Sequence, residues 1–233
     1  MIHRAFKAAF PQTLPVMAGY LFLSLGFGIL LSKSGYGAGW AFFMSAGVYA
    51  GAMQFVTIDL LLSSASLTHS ALITLLVNAR HLFYGITMAA AYRDTGRLKP
   101  YLAFSLTDET FAVLSILEVP EHISPKWFYF AVSFLHQLYW VIGSVLGGLA
   151  GMLIPWDLKG LDFSMTALFV VLLTEQWRRK DARVPVLIGL SCALIGRFLF
   201  GSSQFIFPAM LMIVGTLFLF RGKMSPDKAE EVR

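Results

Sequence analysis

The 233-residue chain is 57% hydrophobic and only 13% charged, with a mean hydropathy of +0.70, against roughly 25% charged residues in an average soluble domain. That excludes a soluble globular enzyme and points to a polytopic membrane protein with no sizeable soluble domain. The net charge of +5 does not point to nucleic acid, because Lys and Arg fall in loops and tails rather than along one face; inside-positive loops account for it.

Residues 1–13 form a basic lead-in, carrying Arg4 and Lys7 and reaching Pro11. The apolar stretch behind it is too long for a signal peptide and lacks a small-residue cleavage site, so a retained first helix is expected. Segment one, about Leu14 to Leu31, carries Gly19, Gly26 and Gly28 at spacings that admit a close neighbouring helix. Segment two, about Trp40 to Leu62, contains Gly47 and Gly51-Ala52-Met53-Gln54-Phe55.

Segment three, about Ser70 to Ala91, holds Asn78-Ala79-Arg80-His81-Leu82-Phe83-Tyr84-Gly85 at its middle. A helix needs roughly 20 apolar residues to cross the hydrocarbon core, and an ionisable residue at its centre costs ~2.5–3.5 kcal/mol on insertion scales. At about 100° per residue, Asn78, Arg80, His81, Tyr84 and Gly85 share one side, with Ala79, Leu82 and Phe83 on the other. The polar side is expected to line a site or pathway.

The basic loop Arg93–Lys99 leads to segment four, about Pro100 to Leu117, with Asp108 and Glu109 at its centre. After a mixed loop, Glu118 to Lys126, segment five runs from about Trp127 to Ile154 with His136-Gln137 and then Gly143, Gly147, Gly148 and Gly151. Segment six is short, about Phe163 to Gln176, and meets the basic loop Arg178–Arg183. Segments seven and eight, about Val184 to Phe200 and Phe205 to Phe220, are split by Gly201-Ser202-Ser203-Gln204. The expected organisation is the lead-in 1–13, one transmembrane transport domain over 14–220 and a charged cytoplasmic tail over 221–233. Cys192 is alone, so no internal disulfide or cysteine metal site forms.

If all eight segments cross and the N-terminus is cytoplasmic, both basic loops fall outside, against the positive-inside tendency. Letting segments two and six re-enter or break returns the N-terminus, both loops and the Arg221/Lys223 tail to the cytoplasm. The same arrangement exposes a faint repeat. Arg80-His81-Leu82-Phe83-Tyr84-Gly85 is echoed by Arg197-Phe198-Leu199-Phe200-Gly201, and glycine-rich segments one and five stand in matching places. The expected fold is therefore an all-α polytopic membrane protein of six to eight transmembrane or re-entrant segments, with segments one to three and five to seven as an inverted repeat, as in many secondary transporters. Chance likeness between apolar helices is the alternative.

Asp108 and Glu109 are the acidic counterparts of Arg80 and His81. A carboxylate holds an ammonium group or titrates during transport, an arginine holds a carboxylate, and a histidine changes charge near neutral pH. The plainer alternative is one structural ion pair between Arg80 and either acid, with Glu109 on the far side of segment four. Gln54, with unwound backbone beside it, suits a zwitterion's polar end; a helix-to-helix hydrogen bond is its alternative. Asp59, Glu175 and His136-Gln137 read as interfacial, with burial of His136-Gln137 against segment three as the other reading. Trp127, Trp156 and Trp177 stand near segment ends, as interfacial anchors do. No phosphate-cradling GxxxxGK loop, His-Glu-x-x-His or Gly-x-Ser-x-Gly occurs. Neither an enzyme nor a metal or cofactor is expected, and active transport would draw on an ion gradient or a separate subunit.

At Gly51-Ala52-Met53-Gln54-Phe55, Asn78-x-Arg80-His81-x-x-Tyr84-Gly85, Asp108-Glu109-x-Phe111 and Asp162-Phe163-x-x-Thr166-Ala167-Leu168-Phe169, the sequence resembles the AzlC family, the large subunits of bacterial branched-chain amino acid exporters. The phrases come in the family's order and the resemblance runs from segment one to segment eight. It implies efflux of valine, leucine and isoleucine, extending to methionine, across the inner membrane on the proton motive force. It also implies a small, separately encoded membrane partner of the AzlD type. Substrate preference and site roles are not settled by it. On the physical reading, Arg80 or a broken-helix N-terminus takes the substrate carboxylate, Asp108 takes the ammonium or a coupling proton, and Asn78, His81, Tyr84 and Gln54 complete the site. A passive facilitator, or an assembly subunit whose partner carries the transport, are the rival readings.

Overall fold

A computed structural model describes residues 2–117, 119–153 and 183–205 continuously, with scattered positions among 170–178 and 208–219. Most of segment six, part of segment eight, the tail, Trp156, Glu175 and the phrase beginning at Asp162 lie outside the described residues. The chain divides into two compact units, Met1–Met165 and Thr166–Arg233.

In the first unit the lead-in and segment one are a single helix, α1 (Ile2–Lys33), which runs through Pro11 and Pro15. Segment two is two helices, α2 (Ala38–Gly47) and α3 (Gly51–Leu62). Between them Tyr49 adopts a φ of +44°, a left-handed conformation unusual for a bulky side chain. Segment three is α4 (Leu67–Met88), started by Ser66, whose side chain accepts from the His69 N–H. A 3₁₀ turn over Arg93–Leu98 leads into α5 (Lys99–Phe104), the break Ser105–Thr107 and α6 (Asp108–Ile116). Segment five is α7 (Pro125–Leu153). In the second unit, α8 (Arg183–Gln204) leaves helical geometry at Gly201, where φ is +73°. Gly85, its counterpart in the echoed phrase, stays inside α4.

Helices α1, α4, α7 and α8 are each long and apolar enough to cross a membrane. The chain is an all-α, polytopic membrane protein. At about 1.5 Å per residue, the halves of segments two and four are too short to cross singly.

Segment four differs from expectation. Asp108 and Glu109 occupy the first turn of a half-helix, not the middle of a continuous one, because Thr107 caps α6 by accepting from the Thr110 N–H. Acidic residues in a first turn are stabilised by the unpaired N–H groups there.

Helices α1 and α7 form the core of this unit. A Cβ on Gly28 would strike the backbone at Ser144, Gly147 and Gly148; one on Gly147 would strike Leu25, and one on Gly151 would meet Ser32 and Ile29. Small residues thus bring the two backbones into contact, as in membrane helix pairs generally. The contacts advance in the same direction along both helices, from Phe6 against Phe130 and Phe134, through Thr13 with Tyr139, to Ser32 against Gly151. So α1 and α7 run parallel, whereas the expected inverted repeat set segments one and five in opposite orientations. Two intervening segments are broken, which is why apolar runs miscount the crossings between them. Gly28→Val is expected to cost about 1–3 kcal/mol by overpacking, read as a lower melting temperature in detergent. Gly26→Ala, where an added Cβ meets nothing within 4 Å, serves as the control that does not lower it. Equal melting of the two variants would remove the glycine contact as a determinant.

Candidate functional site

The site is built where α4 meets α6. Arg80 projects from the polar side of α4, and its Nη1 lies 2.6 Å from Asp108 Oδ2. His81 Nε2 stands 3.9 Å from the other oxygen of the same carboxylate. One turn beyond Arg80, Tyr84 stacks on Phe111 of α6 with ring centroids 4.6 Å apart, and the His81 ring meets Tyr84 edge-on at 5.8 Å. The Arg80 and Asp108 side chains keep 36% and 26% of their surface exposed, so the pair is accessible. Arg80 Nε and Asp108 Oδ1 are buried without a hydrogen-bond partner, which leaves donor and acceptor capacity unused. Asn78 is half-buried in the turn before Arg80, while Leu82 and Phe83 face outward.

Glu109 turns to another neighbour. Adjacent helix positions point about 100° apart, so while Asp108 faces α4, Glu109 faces α1 and accepts from the Tyr20 hydroxyl at 2.7 Å. The alternative that set Glu109 apart from Arg80 describes this geometry. From Tyr20 a buried chain continues: Tyr20 with Thr107 at 2.7 Å, Thr107 with Thr110 at 3.0 Å, and Thr110 with His136 Nδ1 at 2.9 Å. Tyr20 also packs edge-on against Trp140 of α7.

His136 and Gln137 correct the interfacial reading. His136 is fully buried in the body of α7. Gln137 accepts from the Tyr101 hydroxyl and donates to the Ala46 carbonyl, one of the last carbonyls of α2 left open by the helix break. Gln54 does the same work for α3. Fully buried, it donates to Ser45 Oγ at 3.1 Å and accepts from Trp140 Nε1 at 2.8 Å. Its amide is committed to clamping the broken segment on α7, away from the Arg80 pair. Asp59 is exposed near the end of α3.

The structure therefore brings Arg80, His81, Tyr84 and Asp108 together, sets Asn78 on the same helix side, gives Glu109 a separate setting and places Gln54 in a clamp. Tyr20, Thr107, Thr110, His136 and Trp140 were not singled out as site residues; the one cue was a threonine followed by Asp-Glu, a helix-start pattern. Among the described residues no three His, Cys, Asp or Glu side chains could hold a metal ion.

The family profile described as AzlC protein matches residues 15–154. Over 98% of its length the chain is 43% identical to the Branched-chain amino acid transport protein AzlC of Bacillus subtilis (strain 168), covering 89% of that protein. It is 42% identical to an uncharacterized membrane protein of Helicobacter pylori (strain ATCC 700392 / 26695), covering 95% of this chain and 97% of that one. Inner membrane protein YgaZ of Escherichia coli (strain K12) is 28% identical over 86% of this chain and 82% of its own. No solved structure matches. The matched stretch runs from α1 to the end of α7 and so contains every residue of the site, and a 43% identical relative follows nearly the whole chain: the chain belongs to the AzlC family.

Proposed function

We propose that this chain is a secondary transporter that exports branched-chain amino acids, valine, leucine and isoleucine with methionine as a further substrate, across the bacterial inner membrane by proton antiport. A small AzlD-type membrane subunit accompanies it, and both termini face the cytoplasm. One observation carries the reading: a partly exposed ion pair, Arg80 with Asp108, retains unused hydrogen-bonding groups on both partners. The transport named for the Bacillus subtilis relative supports the substrate class.

A zwitterionic amino acid carries the same two charges in one small molecule. It can part the pair, giving its carboxylate to the Arg80 guanidinium and its ammonium to Asp108, so neither charge is left bare. The stacked Tyr84 and Phe111 offer an apolar wall to an aliphatic side chain, and His81 stands beside the carboxylate as a second cation when protonated. Antiport follows if proton and substrate cannot occupy the acidic side of the site together.

The test is uptake of labelled valine into inside-out vesicles from cells lacking other valine carriers. The chain would be compared alone and with its small partner, with and without an imposed pH gradient. Accumulation that requires the gradient and the partner is the expected result. Equilibration indifferent to pH would make the chain a passive facilitator. Flux that survives loss of both Arg80 and Asp108 would make it an assembly subunit, and absence of valine flux in every pairing would overturn the substrate.

A further inference from the structure

The first unit contains a second polar construction that the ion pair does not use. It begins at Glu109, passes through Tyr20, Thr107 and Thr110, and ends at His136, crossing from α6 to α1, back to α6 and on to α7. Its four links measure 2.7, 2.7, 3.0 and 2.9 Å. Every intermediate group is a hydroxyl, able to donate one hydrogen bond while accepting another. Tyr20, Thr107, Thr110 and His136 are all more than nine-tenths buried. The far nitrogen, His136 Nε2, is buried and has no partner. Buried polar atoms are nearly always satisfied, so an open terminus on an otherwise satisfied chain asks for an occupant that the hydrogen-bond pattern would accept: a proton.

We infer that this chain of hydroxyls is a proton relay that loads Glu109, leaving the Arg80–Asp108 pair to hold the substrate. The inference rests on the transporter reading above and divides its two carboxylates by task. In the resting arrangement Nδ1–H donates to Thr110, Thr110 to Thr107, Thr107 to Tyr20 and Tyr20 to the Glu109 carboxylate. A proton arriving at Nε2 forms an N–H bond there. The Nδ1 proton then passes to Thr110, the Thr110 proton to Thr107, the Thr107 proton to Tyr20 and the Tyr20 proton to Glu109. The imidazole finishes neutral in its other tautomer, each hydroxyl again carries one hydrogen, and the carboxylate has become a carboxyl. Thr107 also accepts from the Thr110 N–H at 3.3 Å, and its two lone pairs and one hydrogen accommodate both directions.

Surrounding charges favour this division. Asp108 has a guanidinium at 2.6 Å, so a proton there would strand a cation in an apolar setting. Glu109 has no cation at ion-pair distance among the described residues. It is faced by Tyr20 from α1, by Tyr49 from the break between α2 and α3, by Arg80, His81 and Tyr84 from α4, and by Asp108 and Thr107 beside it. The Tyr49 hydroxyl is buried without a hydrogen-bond partner, close to Tyr20 and Thr107 of the same chain of hydroxyls.

Two measurements on the purified full chain with its small partner separate this inference from the transport reading. In proteoliposomes, Thr110→Val is expected to retain valine-for-valine exchange at equal pH while gradient-driven accumulation falls about a hundredfold, the lower end of the scale for a lost proton-transfer group; Thr110→Ser restores it. Gradient-driven accumulation by Thr110→Val equal to wild type would overturn the relay. Independently, infrared difference spectra between acidic and alkaline buffer are expected to contain a carboxyl band that disappears in Glu109→Gln and persists in Asp108→Asn, with slowed deuterium exchange in Thr110→Val. A band lost in Asp108→Asn instead overturns the assignment. If wild type carries no valine but the infrared pattern holds, the substrate reading falls and the relay stands.

Discussion

Asp108→Asn is expected to abolish gradient-driven valine export and to weaken the fold, with Arg80→Gln doing the same. Removing one member of a fully buried ion pair costs about 3–5 kcal/mol because the other charge is left uncompensated. With 36% and 26% of these side chains exposed, screening reduces that to ~1–3 kcal/mol. A lost charge-assisted contact to substrate worth ~2 kcal/mol lowers the transport kcat/KM at least about thirtyfold. The decisive variant is the double one. Arg80→Gln with Asp108→Asn strands no charge, so its melting temperature in detergent should recover toward wild type, while export stays absent because neither end of the zwitterion is held. Recovery of both stability and export would mean that the pair merely fastens α4 to α6.

The polar side of α4 was legible because it needs only the helical period and the cost of charge in an apolar segment. Arg80, His81 and Tyr84 meet their partners there, and Leu82 and Phe83 are 65% and 69% exposed on the other side. The break in segment two was also legible, from Gly47 and Gly51. The break in segment four was not: its apolar run contains no glycine, and the cap at Thr107 is a single hydroxyl whose effect depends on the turn being formed. His136 was misjudged for a different reason. Its burial comes from α1 packing along α7 through Gly28, Gly143 and Gly147, a non-local contact that sequence position does not reveal. The parallel course of those helices was hidden for the same reason, since loop charges constrain sides of the membrane only when the number of crossings is known.

Gln54→Leu should be the second most damaging change, through the fold rather than through substrate affinity. The residue is fully buried, and Leu would leave the Trp140 Nε1–H without its acceptor and the Ser45 hydroxyl without its donor. Each stranded polar group costs about 1–3 kcal/mol, so the melting temperature should fall markedly while the KM for valine of the folded protein stays put. Trp140→Phe removes the other end of the same bond. The two changes together should cost less than their sum by ~0.5–3 kcal/mol, the coupling expected of residues in one network. A rise in KM without loss of stability would return Gln54 to the substrate site. The geometry argues otherwise: the Trp140 ring lies so near Gly51 that an added Cβ there would crowd it at 3.0 Å, and it stands edge-on to Tyr20. The clamp therefore fixes the start of α3 against the ring that supports the hydroxyl chain. Loosening it is expected to disturb proton coupling before it disturbs recognition of the amino acid.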